Sequence, residues 1–267
     1  MTTVTILRAG PLTTLQDSGR YGMLRHGISA SGPMDRAGFT AAGALLPRAG
    51  GTGIEYTQGL SIEADESLTV SWTEVRTLQA GERLDIPPAD GNYGYLRFAR
   101  EMDVPPVLGS RSTNVMVGLG GHKGRALKAG DRLAFAGPGE PIGAQVAPEG
   151  HGPIRVIWGI HAELFSPGVR QGFADTGFTV SSKLDRMGVR LEDPAGILRN
   201  QRRLDLVSDF LVPGDIQILG DGTPIVLMRD HQPTGGYPRL ATIVSADLDR
   251  FAQLRPGTQV RFTPVRR

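Results

Sequence analysis

The chain has 267 residues and a formal net charge of +2 at pH 7, so it can form one large or two smaller domains, and it lacks the positive charge typical of nucleic-acid or membrane-surface binding. It contains no cysteine, which excludes disulfides, thiolate catalysis and cysteine-based metal sites. Its 37 glycines and 19 prolines predict many short strands joined by turns.

The amino terminus enters an alternating strand pattern at residues 4–8 and shows neither the basic nor the apolar segment of a signal peptide. No apolar run approaches the 18 residues of a membrane span. We therefore expect a cytoplasmic protein that binds neither membranes nor nucleic acid. The five histidines are scattered without the spacing of a metal-binding pair, and we expect no metal.

A long Gly- and Ser-rich loop follows the first strand, over residues 15–35. A loop of this length without an element of its own is usually functional or disordered, and its apolar residues argue against disorder. It offers Arg20, Ser29 and Ser31 as polar side chains. Asp35 at its end can cap a helix over residues 35–46.

Strands are predicted at residues 68–72, 84–86 and 93–98, and two more polar loops follow them. The second loop carries Ser110, Arg111 and Ser112. Arg111 can grip a carboxylate with its fork of donors, or can pair with a structural acid such as Asp103. The third loop carries Lys123 and Arg125, which surface statistics favour as solvated cations.

A short turn recurs four times, each with a small residue or proline, then glycine, then a polar residue that opens a strand. The copies lie at residues 80–84, 129–133, 213–217 and 256–260. Two fall in each half, which indicates two related β domains, 1–150 and 151–267. The boundary is predicted within residues 137–153, a stretch rich in Gly and Pro.

The second half is predicted to contain strands at residues 154–158, 224–228, 240–244 and 260–262, with helices at 161–165 and 245–254. A polar loop, residues 230–238, connects two buried strands and must lie at the surface. It is predicted either as a site or as a tight turn with incidental polar residues. Its hydrogen-bonding side chains are those of Asp230, His231, Gln232, Thr234 and Tyr237.

Common catalytic motifs are absent. The glycines at 118, 120 and 124 miss the dinucleotide spacing, and no P-loop occurs, so we expect no ATP or other cofactor to be bound by this chain alone. The stretch from Gly27 to Ser31 lacks the final glycine of a nucleophile elbow, and sequence ties no histidine to the serines.

Six motifs in order carry a resemblance to a known family. They are Asp17-Ser-Gly-Arg-Tyr-Gly, Gly27-Ile-Ser-Ala-Ser-Gly-Pro-Met-Asp35, Leu108-Gly-Ser-Arg-Ser-Thr113, Asp185-Arg-Met-Gly-Val-Arg-Leu191, Gly214-Asp-Ile-Gln217, and Gly235-Gly-Tyr-Pro238 with Ala252-Gln253. Together they resemble the biotin-dependent carboxyltransferase family, which is also called allophanate hydrolase subunit 2 and includes the C subunit of 5-oxoprolinase.

The resemblance implies a mainly β fold of two cyclophilin-like β-barrel domains with a few short helices. It also implies two partners, a B subunit (allophanate hydrolase subunit 1) and an A subunit, with which ATP-dependent opening of 5-oxoproline to glutamate would occur. Two alternatives remain open: carboxyl transfer from biotin to an amine, as in urea carboxylase, or a noncatalytic regulator that binds the homologue of the B subunit.

Residue type suggests roles for the loop side chains. Charge on a carboxylate or acyl phosphate would be held by Arg20, Arg111 and Lys123, and protons would be moved by Asp35, Asp230 or His231. Substrate contacts are also expected from Ser29, Ser112, Gln232, Thr234 and Tyr237. The chain departs from the family pattern at Arg100 and Glu101, where the family usually has Gly-Gly, and at Pro233, where it tends to have Thr.

Overall fold

The structure is a computed structural model that describes residues 1–141, 150, 152–201 and 205–265. The described residues are mainly β, with three short α-helices, as predicted. Two compact units are present: Met1–Tyr21 with Ala30–Pro148, and Gly22–Ser29 with Glu149–Arg267. Most of the predicted boundary region, namely residues 142–149 and 151, lies outside the described residues. No helix in the described part of the chain is long and apolar enough to span a membrane.

The first unit consists of antiparallel sheets around one apolar core. Its described strands are β1 (Thr3–Ala9), β2 (Thr14–Gln16), β3 (Arg48–Ala49), β4 (Gly53–Tyr56), β5 (Leu60–Ala64), β6 (Leu68–Ser71), β7 (Val75–Leu78), β8 (Arg83–Ile86), β9 (Gly94–Phe98), β10 (Arg100–Met102), β11 (Arg132–Pro138) and β12 (Glu140–Pro141). One five-stranded sheet has the order β10-β11-β1-β5-β8 and the other β2-β4-β9-β6-β7, while β12 pairs with β3.

Alternating side chains explain why these strands form. In β1, Val4 and Ile6 are fully buried, while their neighbours are partly exposed. Phe98 of β9 and Phe135 of β11 meet in the same core, with ring centroids 4.9 Å apart. Helix α1 (Arg36–Ala44) begins at Asp35, whose side chain accepts a hydrogen bond from the Gly38 N–H, so the predicted cap is confirmed.

The second unit contains a closed seven-stranded barrel. Its described strands are β13 (Ile154–Trp158), β14 (Gly177–Leu184), β15 (Gly188–Glu192), β16 (Asp209–Phe210), β17 (Asp215–Ile218), β18 (Pro224–Leu227), β19 (Thr234–Gly235), β20 (Arg239–Ile243) and β21 (Gln259–Pro264). The barrel order is β13-β20-β17-β18-β15-β14-β21, and a parallel pairing of β13 with β21 closes the ring. Outside the barrel, β16 pairs with β19.

Two helices accompany the barrel. Helix α2 (Pro167–Asp175), which the sequence reasoning missed, buries Phe173 against Phe262 of β21, with ring centroids 5.2 Å apart. Helix α3 (Ser245–Ala252) lies in the predicted region. Val244 occupies its cap position, and no side chain accepts a hydrogen bond there. The predicted short helix near residue 161 is a single 3₁₀ turn, Ala162–Leu164.

The recurrent glycine turn is confirmed in all four places. Each glycine has a positive φ, between 76° and 94°. Each also donates its N–H to a carbonyl of a neighbouring segment at 2.7–2.8 Å. The glycines are Gly81, Gly130, Gly214 and Gly257, and they precede β8, β11, β17 and β21. The same glycine turn therefore precedes two strands in each unit.

Candidate functional site

In the first unit, the polar loops are gathered around the carboxylate of Asp17. Its Oδ1 accepts hydrogen bonds from the hydroxyls of Ser110 (2.6 Å) and Ser112 (2.7 Å) and from the Gly19 N–H (3.0 Å). Its Oδ2 accepts the Arg111 N–H at 2.6 Å. Burial raises the pKa of Asp17, but these hydrogen bonds outweigh it and leave the pKa below the ordinary value. Sequence reasoning did not select Asp17.

Arg20 supports the same loop from inside the protein. Only 1% of the residue is exposed, and its guanidinium donates to the carbonyls of Val107 (2.9 Å), Ser112 (2.8 Å) and Ser110 (3.4 Å). These bonds give Arg20 a structural role. That it also binds substrate stays a prediction.

Arg111 is the half-buried cation of this cluster. Its Nε donates to the Val104 carbonyl at 2.6 Å, and within the described residues it forms no ion pair with Asp103. The terminal nitrogens Nη1 and Nη2 make no hydrogen bond to any described residue. The guanidinium is therefore fixed through Nε, and its two terminal nitrogens can donate hydrogen bonds to an oxyanion.

The third loop packs on the second through glycines. A Cβ on Gly120 would lie 2.2 Å from the Ser112 carbonyl oxygen, and the Gly121 N–H donates to the Arg111 carbonyl at 2.8 Å. Lys123 of this loop is exposed, with a φ of 59°, and pairs with no acid in the part of the chain that the structure describes.

Arg125 was expected to be a solvated cation, but the structure gives it a partner inside the protein. Both its terminal nitrogens bond Asp131 at 2.7 Å, and His122 Nε2 lies 3.3 Å from the same carboxylate. The hydrogen bond from Arg125 is the main cause that lowers the pKa of Asp131. Burial likewise lowers the pKa of His122, more than the nearby Asp131 raises it.

Asp35 and Ser29 lie in other parts of the first long loop. The Asp35 carboxylate caps α1, with its Oδ1 2.8 Å from the Gly38 nitrogen, and its own N–H donates to the Tyr95 hydroxyl at 2.7 Å. Ser29 is buried and belongs to the segment Gly22–Ser29, which groups with the second unit. Proton transfer by Asp35 and substrate contact by Ser29 stay predictions.

In the second unit, Asp230 is held in a buried ion pair. Its two oxygens lie 2.8 Å and 3.1 Å from Nε and Nη2 of Arg186, and both side chains are at most 3% exposed. Arg186, which belongs to the motif of residues 185–191, therefore turns inward to Asp230. The role expected for Asp230 in proton transfer remains a prediction.

His231 is buried beside Asp230, and its Nδ1 lies 2.7 Å from the Gln232 carbonyl oxygen. A carbonyl only accepts, so Nδ1 carries the hydrogen and Nε2 of the neutral ring carries the lone pair. Burial is the main cause that lowers the pKa of His231. The ring is therefore neutral at pH 7 and can accept a proton.

The remaining residues of this loop surround Gln217 of β17. The Gln217 amide donates to the Tyr237 carbonyl at 3.2 Å, and its oxygen accepts from Gln232 at 3.3 Å. Thr234 is exposed in β19, and Tyr237 is 37% exposed. The loop is thus supported from the barrel and presents two polar side chains outward.

A second network in this unit was missed from the sequence. Buried Asp215 accepts from Thr242 Oγ1 (2.7 Å) and pairs with Arg239 (3.3 Å), which also pairs with Asp209 at 2.7 Å. The Arg239 N–H donates to His161 Nδ1 at 3.2 Å. Asp215 stands in the recurrent glycine turn, which was the available signal.

The departures from the family pattern have structural partners here. Arg100 donates to Thr2 Oγ1 (2.6 Å) and to the Ala136 carbonyl (2.8 Å), while the Glu101 carboxylate accepts from the Gly51 N–H at 2.5 Å. The Pro233 carbonyl accepts from the Leu211 N–H at 3.0 Å. Arg100 and Glu101 therefore tie β10 to neighbouring segments, and Pro233 ties its loop to Leu211. No cluster of acids and histidines in the described residues has the arrangement of a metal site.

Comparison with known proteins gives consistent results. The profile of the carboxyltransferase domain, subdomain A and B, matches residues 26–264. The chain is 36% identical to the C subunit of 5-oxoprolinase from Escherichia coli (strain K12), covering 96% of this chain and 89% of that protein. It is 31% identical to the protein of the same name from Haemophilus influenzae, covering 98% and 91%.

More distant relatives are parts of larger proteins. The urea amidolyase of Lachancea kluyveri is 27% identical over 96% of this chain but only 16% of its own length. The crystal structure of the K. lactis urea amidolyase matches 99% of this chain and 19% of that chain, with a TM-score of 0.87 and 25% identity. The present chain thus spans about a fifth of that solved enzyme.

Proposed function

The chain belongs to the family of the carboxyltransferase domain, subdomain A and B, and from this membership we propose that it is the C subunit of a 5-oxoprolinase-type complex. In this proposal, it acts with homologues of the A and B subunits to open the ring amide of 5-oxoproline to glutamate at the expense of ATP. The observation that carries the proposal is the nearly end-to-end match, at 36% identity, with the C subunit of the Escherichia coli 5-oxoprolinase.

Arg111 is the residue that we assign to substrate charge. It is anchored at Nε and open at both terminal nitrogens, whereas Arg20 is committed to three loop carbonyls. A guanidinium edge binds a carboxylate or phosphate oxygen through paired hydrogen bonds. We assign it the carboxylate of 5-oxoproline or the charge that develops on an acyl phosphate.

Within the second unit, His231 is the residue that we assign to proton transfer, and this assignment is separate from that of Arg111 in the first unit. Opening an amide requires a proton to leave the attacking oxygen and another to reach the departing nitrogen. A neutral imidazole with Nδ1 fixed by a carbonyl accepts at Nε2 and then returns the proton. Asp230 pairs with Arg186 and Asp35 caps a helix, so both carboxylates have structural roles and the proton transfer is assigned to His231.

Reconstitution with partner subunits tests the proposal. ATP-dependent release of glutamate from 5-oxoproline is expected only when this chain and its two partner homologues are all present.

His231→Gln should lower kcat by about 10²–10⁴-fold, the usual contribution of general acid–base catalysis. Arg111→Gln should raise the KM for 5-oxoproline about tenfold, as expected for the loss of a charge-assisted hydrogen bond. Full activity without this chain would refute the proposed function.

Carboxyl transfer from biotin to an amine is the second candidate. It is favoured by the urea amidolyase relatives and by the TM-score of 0.87 with the K. lactis enzyme. The same protein, supplied with a labelled carboxybiotin carrier and urea or another amine, decides between the two reactions. Label transfer without glutamate release favours this candidate. Tight binding to the B-type partner with neither reaction would indicate a regulator.

A further inference from the structure

We propose that Asp17 is a positioning residue, whose carboxylate holds the main-chain N–H of Arg111 and the side chains of the serines on either side of it, and thereby aims the Arg111 guanidinium at the bound anion. The inference rests on the proposed function of Arg111. It adds a residue to that site and assigns its mode of action.

The carboxylate contacts three consecutive residues of the second loop. Ser110 and Ser112 both donate to Oδ1, and the Arg111 N–H between them donates to Oδ2. Ser112 Oγ in turn accepts the Asp17 N–H at 3.0 Å, and Ser110 Oγ accepts the Ser112 N–H at 3.0 Å. Both serines are fully buried, so their hydroxyls are shielded from water, whereas Asp17 itself is partly exposed.

The other faces of the loop are held as well. Arg20, three positions after Asp17, donates to the carbonyls on either side of Arg111, and the Arg111 carbonyl itself accepts from Gly121. Both backbone polar groups of Arg111 are therefore bonded. Its side chain then meets the Val104 carbonyl through Nε.

An ionised carboxylate satisfies this arrangement in full, because it accepts from two N–H groups, which can only donate, and from both serine hydroxyls. The pKa of Asp17, lowered by those donors, agrees with the geometry. In Asp17→Asn, the amide oxygen best satisfies Ser110, Ser112 and the Gly19 N–H, which all meet at Oδ1. The new NH₂ group then faces the Arg111 N–H, donor against donor. The substitution thus acts on Arg111 in particular.

Kinetics of the reconstituted complex provide the first test. Asp17→Asn should raise the KM for 5-oxoproline about tenfold while kcat changes less than about threefold, since a positioning residue acts on binding. In an Arg111→Gln background, the same substitution should have no further effect on KM, because Asp17 acts through Arg111. Asp247→Asn is the control, since Asp247 is a buried carboxylate that also accepts a backbone N–H, from Arg155. It should leave KM unchanged.

A KM effect that persists without Arg111, or no KM effect in folded Asp17→Asn, would overturn the inference. If Asp17→Asn does not fold, Ser110→Ala removes one donor from the same carboxylate and should raise KM in the same Arg111-dependent way. No KM change in Ser110→Ala would then count against positioning.

A second readout separates this inference from the proposed function, and it uses the chain without partners. The Arg111 Nε–H should exchange slowly with solvent in NMR spectra, because Val104 holds it. Asp17→Asn should accelerate that exchange at least about tenfold, as local opening becomes easier, and Asp247→Asn should not. If the wild-type complex does not hydrolyse 5-oxoproline, the proposed function is refuted. The exchange rate of the Arg111 Nε–H then tests by itself whether Asp17 positions Arg111. Unchanged exchange in Asp17→Asn would refute it.

Discussion

At the scale of single residues, Arg186 and Asp230 form a fully buried ion pair in the barrel unit. Both side chains are at most 3% exposed and they share two hydrogen bonds. Removing one member leaves the other charged and buried, which costs about 3–5 kcal/mol. Replacing both with apolar residues removes that penalty.

The predicted outcome is therefore non-additive. Arg186→Met and Asp230→Leu should each lower the free energy of unfolding by about 3–5 kcal/mol, and the double variant should lose much less than their sum. Urea denaturation measures all three. Arg83→Met, in the exposed pair with Asp85, should leave stability nearly unchanged. Additive losses in the double variant would contradict this account of the pair.

The roles of these residues were only partly predictable. The sequence identified polar loops, and the structure brings the second and third loops together with Asp17 and Arg20. It did not show that Arg20 and Asp230 have internal partners, because those partners are distant in the chain. Ser112 lies 92 positions from Arg20, and Asp230 lies 44 from Arg186. Residue type indicates what a side chain can bind, whereas only the fold determines which group it meets.

At the scale of elements, the recurrent turns should respond to substitution according to backbone conformation. Gly257 has a φ of 84° and an added Cβ would touch nothing within 4 Å, so Gly257→Ala carries conformational strain alone, about 1–2 kcal/mol. Gly214→Ala should cost more, because its Cβ would also lie 3.1 Å from the Ile243 carbonyl oxygen. Gly137, without a positive φ and with open space, is the control, and Gly137→Ala should be neutral or slightly stabilising. Thermal unfolding ranks the three, and equal losses would contradict the conformational explanation.

Elements with strong local signals were predicted well. The strands at β1, β6, β8, β9, β13, β18, β20 and β21 and the helices α1 and α3 lie where alternation and spacing indicated. Helix α2 was missed although Ser166 and Pro167 form a cap and first-turn signal, because Phe173 is its one fully buried side chain. The short β16 and β19 strands have no local signal, since only their mutual pairing defines them.

At the scale of the whole molecule, both units contain histidines that burial keeps neutral. Burial is the main cause that lowers the pKa values of His122, His161 and His231 below the ordinary value of 6.5. In the unfolded chain these rings take up protons near pH 6.5, while in the folded chain they do so only at lower pH. The unfolded state therefore binds more protons in that window, and stability rises with pH across it.

The chain should consequently lose stability in two stages as the pH falls. The first stage begins at about pH 6.5 and comes from the histidines. The second begins at about pH 4 and comes from Asp17, Asp131 and Asp247, whose pKa values are lowered in the folded chain. In this range these carboxylates take up protons in the unfolded chain but not yet in the folded chain. Urea denaturation at closely spaced pH values from about 8 to about 3 resolves the two stages.

His231→Gln should reduce the slope of the first stage and leave the second unchanged, while His26→Gln, at an exposed position, is the control for loss of a histidine as such. A first stage that is equally steep in His231→Gln and wild type would show that the ring of His231 is not held neutral by burial, and would remove the basis for assigning it the proton-accepting role.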